Sequence, residues 1–203
     1  MFDGYWRDAV ERAVDPIGVR LHRVGISANG LTTAGVAIAA ATAVVTALGE
    51  LRLALVCLAV AGVADLLDGP VAKATGPPTR RGAFFDSTAD RVTDTLLLGG
   101  VAWYFVSDDR GDVIMLPVAV MAVSWLISYQ RAKAESLSFD AKGGIMERAE
   151  RIIALAVGFA FPDILVPILW LMLVLTSVTA VQRFIKVWRQ GTEAIQVPDP
   201  DSA

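Results

Sequence analysis

Six apolar blocks divide this chain, and most are long enough to cross a hydrocarbon core of about 30 Å, which takes roughly 20 helical residues. They run over residues 31–49, 53–74, 83–106, 113–135, 147–161 and 164–188. In the fifth, the purely apolar part, Ile152 to Phe161, is short. The fold expected is therefore all-α: a polytopic membrane protein with six transmembrane helices. Composition agrees, since 55% of the 203 residues are hydrophobic and 19% charged, where a soluble domain carries nearer a quarter charged. One membrane domain over residues 1–189 is expected. Residues 190–203 are polar, contain two prolines and are expected to form a disordered tail.

Ahead of the first block, Tyr5, Trp6, Val10, Ala13, Val14, Ile17 and Leu21 recur at helical spacing, with Arg7, Asp8, Glu11, Arg12, Arg20 and Arg23 between them. This pattern predicts an amphipathic helix on the membrane surface over residues 1–24, bent or restarted at Pro16. It has no apolar core of a signal peptide, so none is expected. His22, the only histidine, is expected to be interfacial. Cys57, the only cysteine, rules out an internal disulfide and reads as a small buried packing residue.

The formal net charge of −3 hides an asymmetry. With six spans, every Lys and Arg except Arg52 and Arg110 falls on the side of the two termini, sixteen of the eighteen. The positive-inside rule makes that side cytoplasmic, in a cell-membrane protein. No nucleic-acid polymer is expected as a partner.

The same side holds the chemistry. Residues 65–90 read DLLDGPVAKATGPPTRRGAFFDSTAD. Asp65 and Asp68 are three apart and Asp86 and Asp90 four apart, so each pair shares one helix face. Thr75-Gly76-Pro77-Pro78 breaks the helix between them. Four converging carboxylates repel unless cations neutralise them. With no Cys or useful His nearby, an all-oxygen site fits Mg²⁺ or Mn²⁺. Gly69 and Gly82 permit close approach of a bulky ligand, and hard metals beside helix-end glycines suggest phosphate chemistry. The alternative is a set of interfacial salt bridges to Lys73, Arg80, Arg81 and Arg91. Asp94 continues the face one turn deeper, where it would orient Arg91 or a ligand.

The stretch resembles the motif of the CDP-alcohol phosphatidyltransferase family, D-x2-D-G-x2-A-R-x8-G-x3-D-x3-D. It matches at Asp65, Asp68, Gly69, Ala72, Gly82, Asp86 and Asp90, with Lys73 where the family has arginine. Lysine keeps the charge and loses the bidentate fork. The resemblance implies a reaction in which CDP-diacylglycerol gives its phosphatidyl group to an alcohol and CMP is released. It also implies that Asp65, Asp68, Asp86 and Asp90 hold two metal ions, that Asp90 is the general base, and that the protein is a homodimer. Asp68, Gly69, Ala72, Lys73 and Gly82 would face the CDP-lipid. The stretch Ser27 to Thr32 resembles the family's entry to the first span. That resemblance implies that Asn29 and Thr32 contact the nucleotide, with a plain helix N-cap the alternative for Asn29.

Cations in the later blocks bear on the acceptor. Arg131, Lys133, Arg148 and Arg151 sit at the ends of the fourth and fifth blocks, and Arg183 lies within the sixth, where a cation needs an anion or water. A cationic pocket suggests an acceptor that is itself phosphorylated. The stretches 128–135 and 147–151 and Gln182-Arg183 are similar to those of the actinobacterial phosphatidylinositol-phosphate synthases, with the basic residues at 131 and 133 exchanged. That resemblance implies acceptor-phosphate binding by Arg131, Lys133, Arg151 and Arg183, and inositol 1-phosphate as acceptor. Glycerol 3-phosphate is the runner-up. A cation transporter or a structural ion-pair network are the readings from other classes. The acidic residues gather at one face and not at the midplane, which argues against transport.

Overall fold

The computed structural model describes residues 5–77 and 79–196. These form seven helices: α1 (Tyr5–Arg23), α2 (Ala28–Ala47), α3 (Leu51–Thr75), α4 (Arg80–Ser107), α5 (Met115–Ser136), α6 (Arg148–Ala160) and α7 (Leu165–Gln196). Single 3₁₀ turns, Gly111–Val113 and Pro162–Ile164, precede α5 and α7. No strand occurs among the described residues. Helices α2 to α7 coincide with the six expected blocks.

Side-chain caps set the helix starts. Ser27 Oγ accepts from Gly30 N at 3.1 Å and caps α2. Ser27, and not Asn29, is thus the N-cap; Asn29 lies exposed within the first turn. Thr79 Oγ1 accepts from Gly82 N at 3.0 Å and caps α4. At α6, Glu147 and Glu150 form a reciprocal capping box. The α2–α3 connection is a tight turn with Gly49 at φ +84, a left-handed conformation that suits glycine.

Short connections make α2, α3 and α4 antiparallel neighbours, and they pack together. Helix α5 bridges α4 and α7, while α6 lies between α3 and α7. Gly100 lets α4 close on α2, since a Cβ there would stand 2.7 Å from Ala43 Cα. Val101, Phe105, Val120, Phe159, Leu169 and Met172 are almost fully enclosed in the core. Thr42 and Thr46 are also buried, and each donates to the carbonyl four residues back, so no hydroxyl is stranded in the apolar interior. The outward face is apolar too: Val56, Trp103, Trp125, Trp170 and Val174 are all more than half exposed. A surface this apolar is suited to lipid.

Three segments are long and apolar enough to cross a membrane: Ala28–Ala47, Gly111–Ser136 and Pro162–Thr192. Helices α3 and α4 are long but interrupted by charge. Helix α6 has 13 residues, a rise of about 20 Å, short of the roughly 30 Å of hydrocarbon.

Three expectations change. Helix α1 continues through Pro16 without a restart. Cys57 is half-buried, not enclosed. The chain beyond Gln190 remains helical to Gln196. Glu193, Ala194 and Gln196 are good helix formers and no proline comes before Pro198; just ahead of them the Gln190 amide holds both backbone groups of Asp140, with Nε2 donating to Asp140 O at 2.7 Å and Oε1 accepting from Asp140 N at 2.8 Å. The rest of the expected tail, residues 197–203, and the side chains of the expected amphipathic face from Tyr5 to Ala13 lie outside the described residues.

Candidate active site

Helix α3 delivers Asp65 and Asp68, and α4 delivers Asp86, Asp90 and Asp94, to one end of the bundle. Asp65 is within electrostatic reach of Asp68, Asp86 and Asp90. Thr32, on the first turns of α2, donates to Asp68 Oδ2 at 3.0 Å. Asp86 is exposed. Neither Asp68 nor Asp86 makes an ion pair among the described residues.

At the centre lies Arg148, from the start of α6. Its Nη1 donates to Asp65 Oδ1 at 2.7 Å and also to Asp90 Oδ1. Its Nε stands 3.8 Å from Asp94. One turn on, Arg151 Nη2 pairs with Asp94 Oδ2 at 2.5 Å, both side chains nearly enclosed. Arg91 takes no part in that pair; it donates to Ser87 O at 2.6 Å and to Asp90 at 3.3 Å. Asp94 therefore orients Arg151, not Arg91. The crevice lined by Thr32, Asp65, Asp90, Thr93 and Arg148 encloses about 20 Å³, room for one water.

Interfacial salt bridging accounts for little of this. Of the four cations expected to pair there, Arg91 alone meets an aspartate of the cluster, Asp90 at 3.3 Å; Lys73 stands 3.8 Å from Asp15 of α1, and Arg80 and Arg81 pair with none of the aspartates among the described residues. The donor set is carboxylate oxygen with one hydroxyl beside it, which suits a hard divalent cation. Among the described residues no three Asp, Glu, His or Cys side chains form a ready metal shell. The carboxylates surround a guanidinium instead; Asp86 feels Arg148 and Arg91 only at a distance, and no cation acts on Asp68 among the described residues. The residues thus fit such an ion by donor type and by charge.

The remaining expected residues divide between places. Gly69 and Ala72 are exposed, and nothing lies within 4 Å of where a Cβ on Gly69 would be. At Gly82 that space is partly taken by the Thr79 cap. Arg131 is exposed and pairs with Glu135 at 2.9 Å. Arg183, 4% exposed, donates to Ile127 O, Gly143 O and Glu147 Oε1 at 3.0, 2.9 and 3.3 Å. It lies within electrostatic reach of Arg131 and Arg151. With Lys133 it borders an open groove between α5 and α7, lined also by Phe139, Phe184 and Trp188. His22 meets Thr75 at 3.3 Å, on the docked face of α1 and away from the central arginine.

Sequence reasoning gave Arg148 no role. Its signal was the i, i+3 spacing with Arg151 behind a capping glutamate, which puts both guanidiniums on one face of α6. It also missed how Arg183 is held. Thr179, Arg183, Lys186 and Gln190 form one stripe of α7 that grips the α5–α6 loop. Thr179 Oγ1 accepts from Ile145 N and Met146 N, and Lys186 Nζ donates to Asp140 Oδ2 and Lys142 O.

The site is thus an acidic cluster at one end of a helical bundle, met by half-buried Arg148 and buried Arg151. The family model described as CDP-alcohol phosphatidyltransferase matches residues 26–188, and the chain belongs to that family of transferases. It is 35% identical to the phosphatidylinositol phosphate synthase of Streptomyces avermitilis, over 96% of this chain and 85% of that protein. Its fold is similar to the crystal structure of Mycobacterium tuberculosis phosphatidylinositol phosphate synthase with CDP-DAG bound, with TM-score 0.80 and 30% identity over 87% of this chain and 94% of that one. The same enzyme in complex with manganese and citrate gives TM-score 0.79 and 31% identity, covering 86% and 88%.

Proposed function

We propose that the protein transfers the phosphatidyl group of CDP-diacylglycerol to inositol 1-phosphate, giving phosphatidylinositol phosphate and CMP. The observation that carries the acceptor is the state of the arginines. Arg151 and Arg183 are enclosed and Arg148 is half-buried, and each of the three keeps a buried Nε–H without a hydrogen-bond partner. A buried unpaired donor is costly, so these three are poised for an anion. Phosphorylated acceptors supply one; free inositol and serine lack the phosphate.

In this reading Asp65, Asp68, Asp86 and Asp90 hold Mg²⁺ or Mn²⁺, two ions in all, which offset charge on the pyrophosphate and the departing CMP. Thr32 fixes the rotamer of Asp68. Gly69, Ala72 and Lys73 face the nucleotide, with Asn29 and Gly82 at its edge. Asp90 accepts the proton of the incoming hydroxyl. That oxygen bonds to the lipid-side phosphorus, the bond to the bridging oxygen breaks, and CMP leaves with the electron pair. Arg131, Lys133, Arg151 and Arg183 bind the acceptor phosphate. The anionic substrates also offer Arg148 a partner other than Asp90, which frees that carboxylate as base.

The fold reading that accompanies this is six spans, with α3, α4 and α6 crossing beside the three apolar segments. Helix α1 lies on the cytoplasmic surface, the site and both termini face the cytoplasm, and two copies form the dimer. The charge asymmetry supports this orientation. The test offers CDP-diacylglycerol and Mg²⁺ with inositol 1-phosphate, glycerol 3-phosphate, inositol or serine singly and follows CMP. Release with inositol 1-phosphate is expected. Preference for glycerol 3-phosphate would change the acceptor, and activity with only the uncharged alcohol or serine would overturn the arginine argument.

A further inference from the structure

The Asp68–Lys73 turn of α3 is a poor helix by its own sequence. Gly69 adds backbone freedom, and Pro70 lacks the N–H that would reach the carbonyl of Leu66. Yet α3 stays helical through Thr75. Outside support comes from α1, which packs along α3. Gly18 is buried against Pro70: a Cβ there would stand 2.5 Å from Pro70 Cβ and 2.6 Å from its carbonyl carbon. Backbone cannot step aside as a flexible side chain can. On either side of this contact, Asp15 Oδ1 stands 3.8 Å from Lys73 Nζ, and His22 Nδ1 lies 3.3 Å from Thr75 Oγ1. Residues 15, 18 and 22 share one face of α1.

We infer that this face of α1 is a positioning element for the nucleotide end of the active site. Gly18 braces the helix where Pro70 weakens it, and Asp15 aims Lys73. Neither touches substrate. Both act through the turn that carries Gly69, Ala72 and Lys73. The inference rests on the reading that this turn binds the nucleotide.

The test titrates CDP into the purified full-length protein with Mn²⁺ by calorimetry, beside steady-state kinetics. Wild type binds CDP; if it does not, the nucleotide reading itself fails. Gly18→Ala should weaken CDP binding and raise KM for CDP-diacylglycerol by about tenfold or more, as displacements near 1 Å do. KM for the acceptor should stay near the wild-type value. Asp15→Asn, on an exposed pair, should weaken CDP by up to about fivefold, and Asp15→Glu should restore it. If Gly18→Ala unfolds the bundle, the Asp15 variants carry the test. CDP affinity unchanged in Asp15→Asn overturns the inference while leaving the function intact. Equal loss for donor and acceptor would also overturn it, because that is general damage.

Discussion

Replacing Arg151 with methionine separates the structural work of this arginine from its proposed binding role. The guanidinium is 7% and the Asp94 carboxylate 11% exposed, with 2.5 Å between them. Removing one partner of a buried pair strands the other, at about 3–5 kcal/mol. Arg148, 3.8 Å from Asp94, compensates in part, so the lower end, about 3 kcal/mol, is expected. For a chain of this size that lowers Tm by about 6–12 °C. The double variant Asp94→Leu/Arg151→Met leaves no stranded charge and should return to within about 1 kcal/mol of wild type. Its use of the phosphorylated acceptor should remain lost, because the anion site has not come back. The assay is thermal unfolding in detergent, followed by the fluorescence of the five tryptophans, with acceptor KM measured on the same preparations. A Tm for Arg151→Met within about 2 °C of wild type would refute the buried pair. Wild-type turnover in the double variant would refute Arg151 as an acceptor ligand.

Asp90→Asn should abolish turnover while CDP still binds in calorimetry, since it removes a proton acceptor and keeps the shape. Thr179→Val leaves the N–H groups of Ile145 and Met146 without their acceptor and should cost about 1–3 kcal/mol in thermal or denaturant unfolding. The Lys186 ammonium, hydrogen-bonded to Asp140, holds that carboxyl below the usual carboxylate range. Its contribution is therefore present above the unfolded value and lost as pH falls through the lower folded one. The protection of the Lys142 amide, which donates to Asp140, measured as its exchange rate relative to the intrinsic rate at each pH, should fall in that acid window and stay level between pH 5 and 8.

What the sequence reveals here is local. Asp65/Asp68 and Asp86/Asp90 can be read because spacing on one helix fixes which side chains share a face. The chain break at Gly76 and Pro77 then turns two helices into neighbours. The later blocks yield their helices for the same reason. The pairing of Arg148 with Asp65 and Asp90 is invisible to such reasoning, because those partners lie 83 and 58 residues away. The same holds for the grip of Gln190 on Asp140, 50 residues away in the chain. Asn29 lost the cap to Ser27 because both are good capping residues two positions apart, and only backbone geometry separates them. Three-dimensional packing also divides the expected acceptor set: Arg151 faces the aspartates, Arg183 ties down a loop, and Arg131 sits exposed on α5.

In the proposed function the aspartates of α3 and α4 carry phosphatidyl transfer to a phosphorylated alcohol. Mass spectrometry of the lipid made by purified protein from CDP-diacylglycerol, Mg²⁺ and inositol 1-phosphate tests it most directly. The expected product is phosphatidylinositol phosphate, formed in step with CMP and absent with Asp90→Asn. Product formation that persists in Asp90→Asn, or no lipid product from the wild-type protein, would contradict it.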